Sequence, residues 1–141
     1  MIDGLYNTDI LALAANIQHV GRLEKPCGTA RKVSKLCGSW VEVDVCLDDE
    51  IVTDFAIRLQ ACALGQASAA ILAEDVIGAS IAELTTAQDS LCAMLKQGAD
   101  APTGRFAKLL LLADVANYPA RHTSTMLAFD AVLAAVADAP S

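Results

Sequence analysis

Several things are scarce in this chain of 141 residues, and each scarcity closes off a class of function. Lys and Arg number only 10 against 17 Asp and Glu, a formal net charge of −7. A nucleic-acid partner, which needs a positive field to displace counterions, is therefore not expected. Aromatic residues make up 4% of a composition that is 55% hydrophobic, so the core must be built from Ala, Leu, Val and Ile. That is too apolar for intrinsic disorder. No apolar run is long enough to span a bilayer: Glu74 and Asp75 interrupt the Ala-rich middle, and Asp114 ends the run from Leu109 to Leu112. The amino terminus carries Asp3 and Asp9 and no basic cluster, which does not read as a secretory signal. These readings predict a cytoplasmic protein of one domain over residues 1–141, with no membrane partner.

The five cysteines (Cys27, Cys37, Cys46, Cys62 and Cys92) form no Cys-x-x-Cys pair. In a reducing compartment they are expected to be thiols rather than a disulfide framework. Cys46 falls inside a predicted strand, and Cys92 shares a helix face with Leu84 and Leu95, so both read as packing residues. Cys27 lies in a stretch from Gly21 to Ser39 punctuated by Gly and Pro. That stretch holds half the positive charge of the chain: Arg22, Lys25, Arg31, Lys32 and Lys35.

The periodicity predicts an amphipathic helix from about Thr8 to Val20, capped by Asn7 or Thr8. Trp40 to Leu47 then alternates, with Val41, Val43 and Val45 on one face and Glu42 and Asp44 on the other. Asp48-Asp49-Glu50 makes a tight turn. Ile51 to Leu59 alternates again, with Ile51, Phe55, Ile57 and Leu59 on one side, completing a hairpin. Arg31 to Ser34 is the candidate third, edge strand. After Cys62 the pattern turns helical: Ala63 to Ile77, Ser80 through Lys96, about Phe106 to Ala116, and Ser124 to Ala137, with a break at Gly98 to Gly104 and Pro119 before the last. Strands first and helices after predict an α+β fold, with an N-terminal helix, a small three-stranded antiparallel sheet and a helical C-terminal half packed on one face.

Cys37 and Cys62 stand apart because each falls at a strand boundary. In an antiparallel hairpin the start of one strand neighbours the end of its partner, so the topology can bring the two to one edge of the sheet. Cys62 also precedes a predicted helix, whose unpaired amides and macrodipole stabilise an anion. Two unrelated, partly buried cysteines fit the same pattern.

At these residues the chain resembles the U-type iron-sulfur cluster assembly scaffolds, the family of IscU, SufU and the amino-terminal domain of NifU. The likeness runs through Leu5-Tyr6 and the first helix, Gly21-Arg22-Leu23, Cys37-Gly38 entering a valine strand, and Phe55 leading into Cys62-Ala63. Tyr118-Pro119-Ala120-Arg121, then Leu127-Ala128-Phe129, and the extra length between Leu91 and Tyr118 are similar to the SufU branch. The resemblance implies a scaffold rather than an enzyme, working with a cysteine desulfurase or other assembly proteins. It implies a site for an iron-sulfur cluster or for zinc or iron, in which Cys37 and Cys62 are ligands. The family's Asp falls on Ser39 and its last Cys on Ser124, or on Thr123 when the register is matched through His122. A hydroxyl is a poor ligand where thiolate and imidazole bind zinc or iron tightly. His122, Cys27, a second subunit or a partner could complete the set, while His19 reads as structural. The sulfur-exchange route through the last-helix Cys is not expected here, nor is the chaperone contact of the Leu-Pro-Pro-Val-Lys motif, which the chain lacks. The alternative is a non-catalytic interaction module that keeps the fold without the metal. A thiol enzyme, with Cys62 as nucleophile and His122 as base, ranks last because no oxyanion loop is evident. The sequence leaves the oligomeric state open.

Overall fold

A computed structural model of the chain describes residues 7–36 and 38–140. Its elements in order are α1 (Thr8–Ala14), β1 (Gly28–Val33), β2 (Trp40–Asp48), β3 (Ile51–Gln60), α2 (Ala63–Asp75), α3 (Ile81–Gln97), a 3₁₀ helix (Gly104–Asn117), a short 3₁₀ turn (Pro119–Arg121) and α4 (His122–Asp138). The three strands form an antiparallel sheet in the order β1-β2-β3. The helices that follow pack against it, as the α+β reading requires.

Val41, Val43 and Val45 are fully buried and pair in register with Leu59, Ile57 and Phe55, so one face of the hairpin carries an unbroken apolar stripe. A β-bulge shifts the register between Cys46 and Leu47 and leaves an extra residue on β3. The bulge reverses the alternation beyond it. Val52 turns inward at 1% exposure and Ile51 outward at 37%, the opposite of what strict alternation predicts for Ile51. On the other face, Asp44 is buried, and Arg58 bonds both its carboxylate oxygens and Glu42 at 2.9–3.0 Å. The incoming segment closes over this cluster: the Leu23 amide donates to Asp44 and the Gly21 carbonyl accepts from Arg58.

That segment also explains why α1 ends at Ala14 instead of running to Val20. Val20 makes a parallel bridge to Ile57, with the His19 carbonyl and the Gly21 amide both bonded to Ile57. A long-range backbone pairing has replaced the last helical turns. The expected helix over 106–116 is instead a 3₁₀ run with irregular backbone at Phe106 (φ −109°, ψ 29°). Its leucine run offers no clear 3.6-residue stripe: Leu109 and Leu112 are buried three apart, as 3₁₀ geometry places them, while Leu110 and Leu111 are exposed. Ser80 begins α3 as predicted, in a capping box with Glu83.

The five-thiol expectation is corrected here. Cys27 and Cys46 form a disulfide, with Cα atoms 4.8 Å apart. The cause is β1 register: Gly28 lies opposite Val45, which sets Cys27 beside Cys46. Among the described residues Cys62 and Cys92 are the free thiols.

α2 is rich in small residues and, apart from half-buried Gln66, is buried from Leu64 through Ala73, which is the behaviour of a central helix. α4 crosses both β1 and β2 and also packs on α2. Its two ends are seated by glycines. A Cβ at Gly28 would overlap the Ala135 carbonyl, and one at Gly65 would come within 3.2 Å of the Ser124 carbonyl. The helix therefore lies backbone-close to the sheet at one end and to α2 at the other.

Candidate functional site

The seam between β3 and α2 is where chemistry-bearing side chains collect. β3 ends at Gln60, and two residues later Cys62 takes the N-cap position of α2 in extended backbone (φ −66°, ψ 170°). The turn is fixed by Gln66, whose amide donates to the Cys62 carbonyl and whose side chain donates to the Ala61 carbonyl. The Cys62 thiol makes no capping bond to its own helix. It points across to α4, where its S–H donates to Ser124 Oγ at 3.7 Å. Ser124 is 1% exposed and donates in turn to the Arg121 carbonyl at 3.2 Å. Two helix N-termini thus meet at one thiol, brought together by the close approach at Gly65.

The facing wall comes from the turn before β2. Ser34 bonds Gly38 and Ser39 through its carbonyl and amide, both at 2.8 Å, and Gly38 takes φ +75° to close the turn. Trp40 pairs with Gln60, so continuing the register carries Gly38 and Ser39 to the level of Cys62 and Ala61. Gly38, Ser39, Gln60, Ala61, Cys62 and Arg121 line one open cavity of about 350 Å³. Ser39 is nearly buried in its wall, and nothing lies within 4 Å of the space a Gly38 side chain would fill. Cys37 lies outside the described residues.

Residues that neighbour one another in sequence separate here. Ser124 faces Cys62, whereas Thr123 and His122 line a different hollow, between α3 and α4, with Cys92, Lys96 and Asp130. His122 Nε2 sits 3.0 Å from the Val115 carbonyl. One residue along a helix turns a side chain by about 100°, enough to choose between the two hollows. Cys27 is held at Cys46, six residues along β2 from the cavity end. Sequence reasoning did not single out Arg121 for the site. It is the cationic side chain lining the cavity, and its only signal was its place in the Tyr118-Pro119-Ala120-Arg121 motif.

Among the described residues no three His, Cys, Asp or Glu side chains gather closely enough to hold a metal ion. Among the described residues the donors here are the Cys62 thiol and the Ser39 hydroxyl on the cavity wall, with the Ser124 hydroxyl behind Cys62. A soft thiolate suits iron, zinc or a cluster, and hydroxyls suit none of these well.

The whole defines a small α+β domain with a thiol at its sheet–helix seam. The chain belongs to the family described as the NifU-like N terminal domain, whose model matches residues 5–139. It is 25% identical over 125 residues to the iron-sulfur cluster assembly scaffold protein IscU of Thermotoga maritima, covering 89% of this chain and 87% of that one. The IscU scaffold protein of Streptococcus pyogenes serotype M1 is 30% identical over 101 residues, 71% of this chain and 63% of that one. Among solved structures, a nitrogen-fixing NifU-like protein (N-terminal) from Brucella abortus superposes with a TM-score of 0.95 at 47% identity, covering 97% and 95% of the two chains. The U-type scaffold resemblance is thereby established, and no helix among the described residues is long and apolar enough to cross a membrane.

Proposed function

We propose that this protein is a cytoplasmic scaffold-like component of iron-sulfur cluster assembly, with iron, zinc or a cluster as its cargo and Cys37 and Cys62 as the protein's ligands. The observation that carries the reading is the placement of Cys62: an N-cap thiol, free of its own helix, opening into a cavity whose other wall is Gly38-Ser39. Two relatives named as iron-sulfur cluster assembly scaffolds support it. The division of labour follows from the side chains. Cys62 offers a soft sulfur donor at the N-terminus of α2, its S–H directed at Ser124 Oγ when no cargo is held. Arg121 offsets negative charge in the cavity, and Gly38 keeps its mouth clear. Ser39 and Ser124 contribute hydrogen bonding rather than strong ligation, and His122 faces the other hollow, so a second subunit or a partner such as a cysteine desulfurase would complete the coordination. Cargo held by few protein ligands is readily passed on.

Anaerobic reconstitution with iron and sulfide tests this. Wild type should develop cluster absorbance and retain metal, and Cys37→Ala and Cys62→Ala should lose both. Wild type without absorbance or bound metal overturns the cargo-binding reading. The second reading, an interaction module that keeps the fold and holds no metal, is favoured by one observation: a serine hydroxyl stands where Cys62 meets α4. It requires full complementation by a Cys37/Cys62 double variant, and failure of that variant would exclude it.

A further inference from the structure

The far end of α4 forms a second feature that the thiol site does not use. Leu47 of β2, Ile81 at the start of α3, Leu133 and Val136 of α4, and Pro140 wall a groove of about 680 Å³, with Asp49 and Glu50 on its rim. The volume lies in the range that takes ligand groups or several side chains. The rim is an unusual turn. Asp49 and Glu50 both adopt left-handed backbone, φ 53° and 65°, where Asn-Gly is the favoured pair. The turn is held there by the connection between α2 and α3: Ile81 donates to the Glu50 carbonyl, and the Val52 amide and carbonyl bond Ala79 and Gly78. The two-residue hairpin requires this conformation, and the bonds to it fix both carboxylates at the groove mouth.

The electrostatics are one-sided. Asp48, Asp49 and Glu50 are exposed and take part in none of the ion pairs among the described residues. The last turn of α4 ends beside them with no basic residue, so its carbonyl end adds to the negative field. An apolar trough with an anionic rim selects for an apolar side chain flanked by Lys or Arg. It repels anionic lipid and disfavours a second copy of a chain whose net charge is −7.

The geometry points to this groove as a docking site for a basic amphipathic segment of a partner protein. Its position gives that docking a use. β2 runs from Trp40 at the thiol end to Asp48 at the groove, about 26 Å at ~3.3 Å per residue. A partner seated there leaves the Cys62 cavity uncovered. The inference stands on the groove and its rim and is independent of metal binding.

The probe is a synthetic amphipathic peptide of Lys and Leu, compared with its Glu and Leu counterpart of equal length, both titrated into the full chain while backbone amide shifts are followed by NMR. The basic peptide should perturb residues around Leu47, Ile81, Leu133 and Val136, weaken with added salt, and lose about tenfold in affinity in Asp49→Asn/Glu50→Gln, as two exposed carboxylates allow. Asp89→Asn, a carboxylate change elsewhere, should leave the affinity unchanged. Equal binding of both peptides, perturbations outside the groove, an unaffected rim variant, or self-association through the groove residues at rising protein concentration would each overturn the proposal.

Discussion

Replacing Ser124 with Cys would supply the thiol that the seam between α2 and α4 does not have. Two sulfurs on a tetrahedral zinc, each about 2.3 Å from the metal, lie about 3.8 Å apart. Ser124 Oγ is 3.7 Å from Cys62 Sγ, so the backbone already holds the two positions at a ligand-to-ligand spacing. The substitution forfeits the hydrogen bond to the Arg121 carbonyl and crowds a site that is 1% exposed, a cost of about 1–2 kcal/mol in stability. Against that, a hydroxyl is exchanged for a thiolate in the first coordination sphere. Changes one shell further out are worth 10–100-fold in metal affinity, so the gain in zinc affinity should reach at least about 100-fold. Competition with a chromophoric chelator, under reductant so that no Cys62 disulfide forms, measures it. Adding Cys62→Ala to the variant should erase the gain. A Ser124→Cys protein that keeps the wild-type fold by circular dichroism and yet holds zinc no more tightly than wild type would refute the claim that Cys62 and residue 124 share a ligand site.

Three further outcomes follow from the outer face of the sheet. The Cys27–Cys46 bridge, with a sequence separation of 19, should contribute about 3 kcal/mol by restricting the unfolded chain. Urea unfolding of Cys27→Ser/Cys46→Ser should therefore match reduced wild type and fall short of oxidised wild type; coincidence of all three midpoints would show that the bridge adds nothing. Burial works to raise the Asp44 carboxyl, but the bonds from Arg58, the Leu23 amide and Thr29 outweigh it and hold its pKa below the ordinary value. A depressed folded-state pKa stabilises the fold above the unfolded value of about 3.9 and loses that contribution as the pH falls through the lower, folded one. Wild type should thus lose stability more steeply than Asp44→Asn as the pH is taken below about 4, and equal slopes would discount the cluster. Removing its other half, in Arg58→Met, should cost about 3 kcal/mol by stranding a buried carboxylate.

The elements that the sequence predicts well are those set by local patterning. The β2–β3 hairpin follows from alternating Val41, Val43 and Val45, and the start of α3 from Ser80 and Glu83. What the sequence conceals is set by long-range registers. Val20 leaves the helix for Ile57, a residue 37 positions away, and Cys27 meets Cys46 only once β1 has docked on β2. The inward turn of Val52 needs a bulge that no composition signal marks. The thiol site is intermediate. Its topology, with the start of β2 beside the end of β3, is readable from the hairpin alone. Whether Ser124 or Thr123 faces Cys62 depends on the rotation of α4 about its axis, which packing decides.

The glycine seats of α4 have a practical consequence for anyone refitting this fold. Because main chain rests on main chain at Gly28 and Gly65, the helix is located before side chains are chosen. Donor atoms at positions 121 to 125 can then be exchanged as tools are exchanged in a fixed chuck, with the alignment supplied by the mount and the chemistry by the insert.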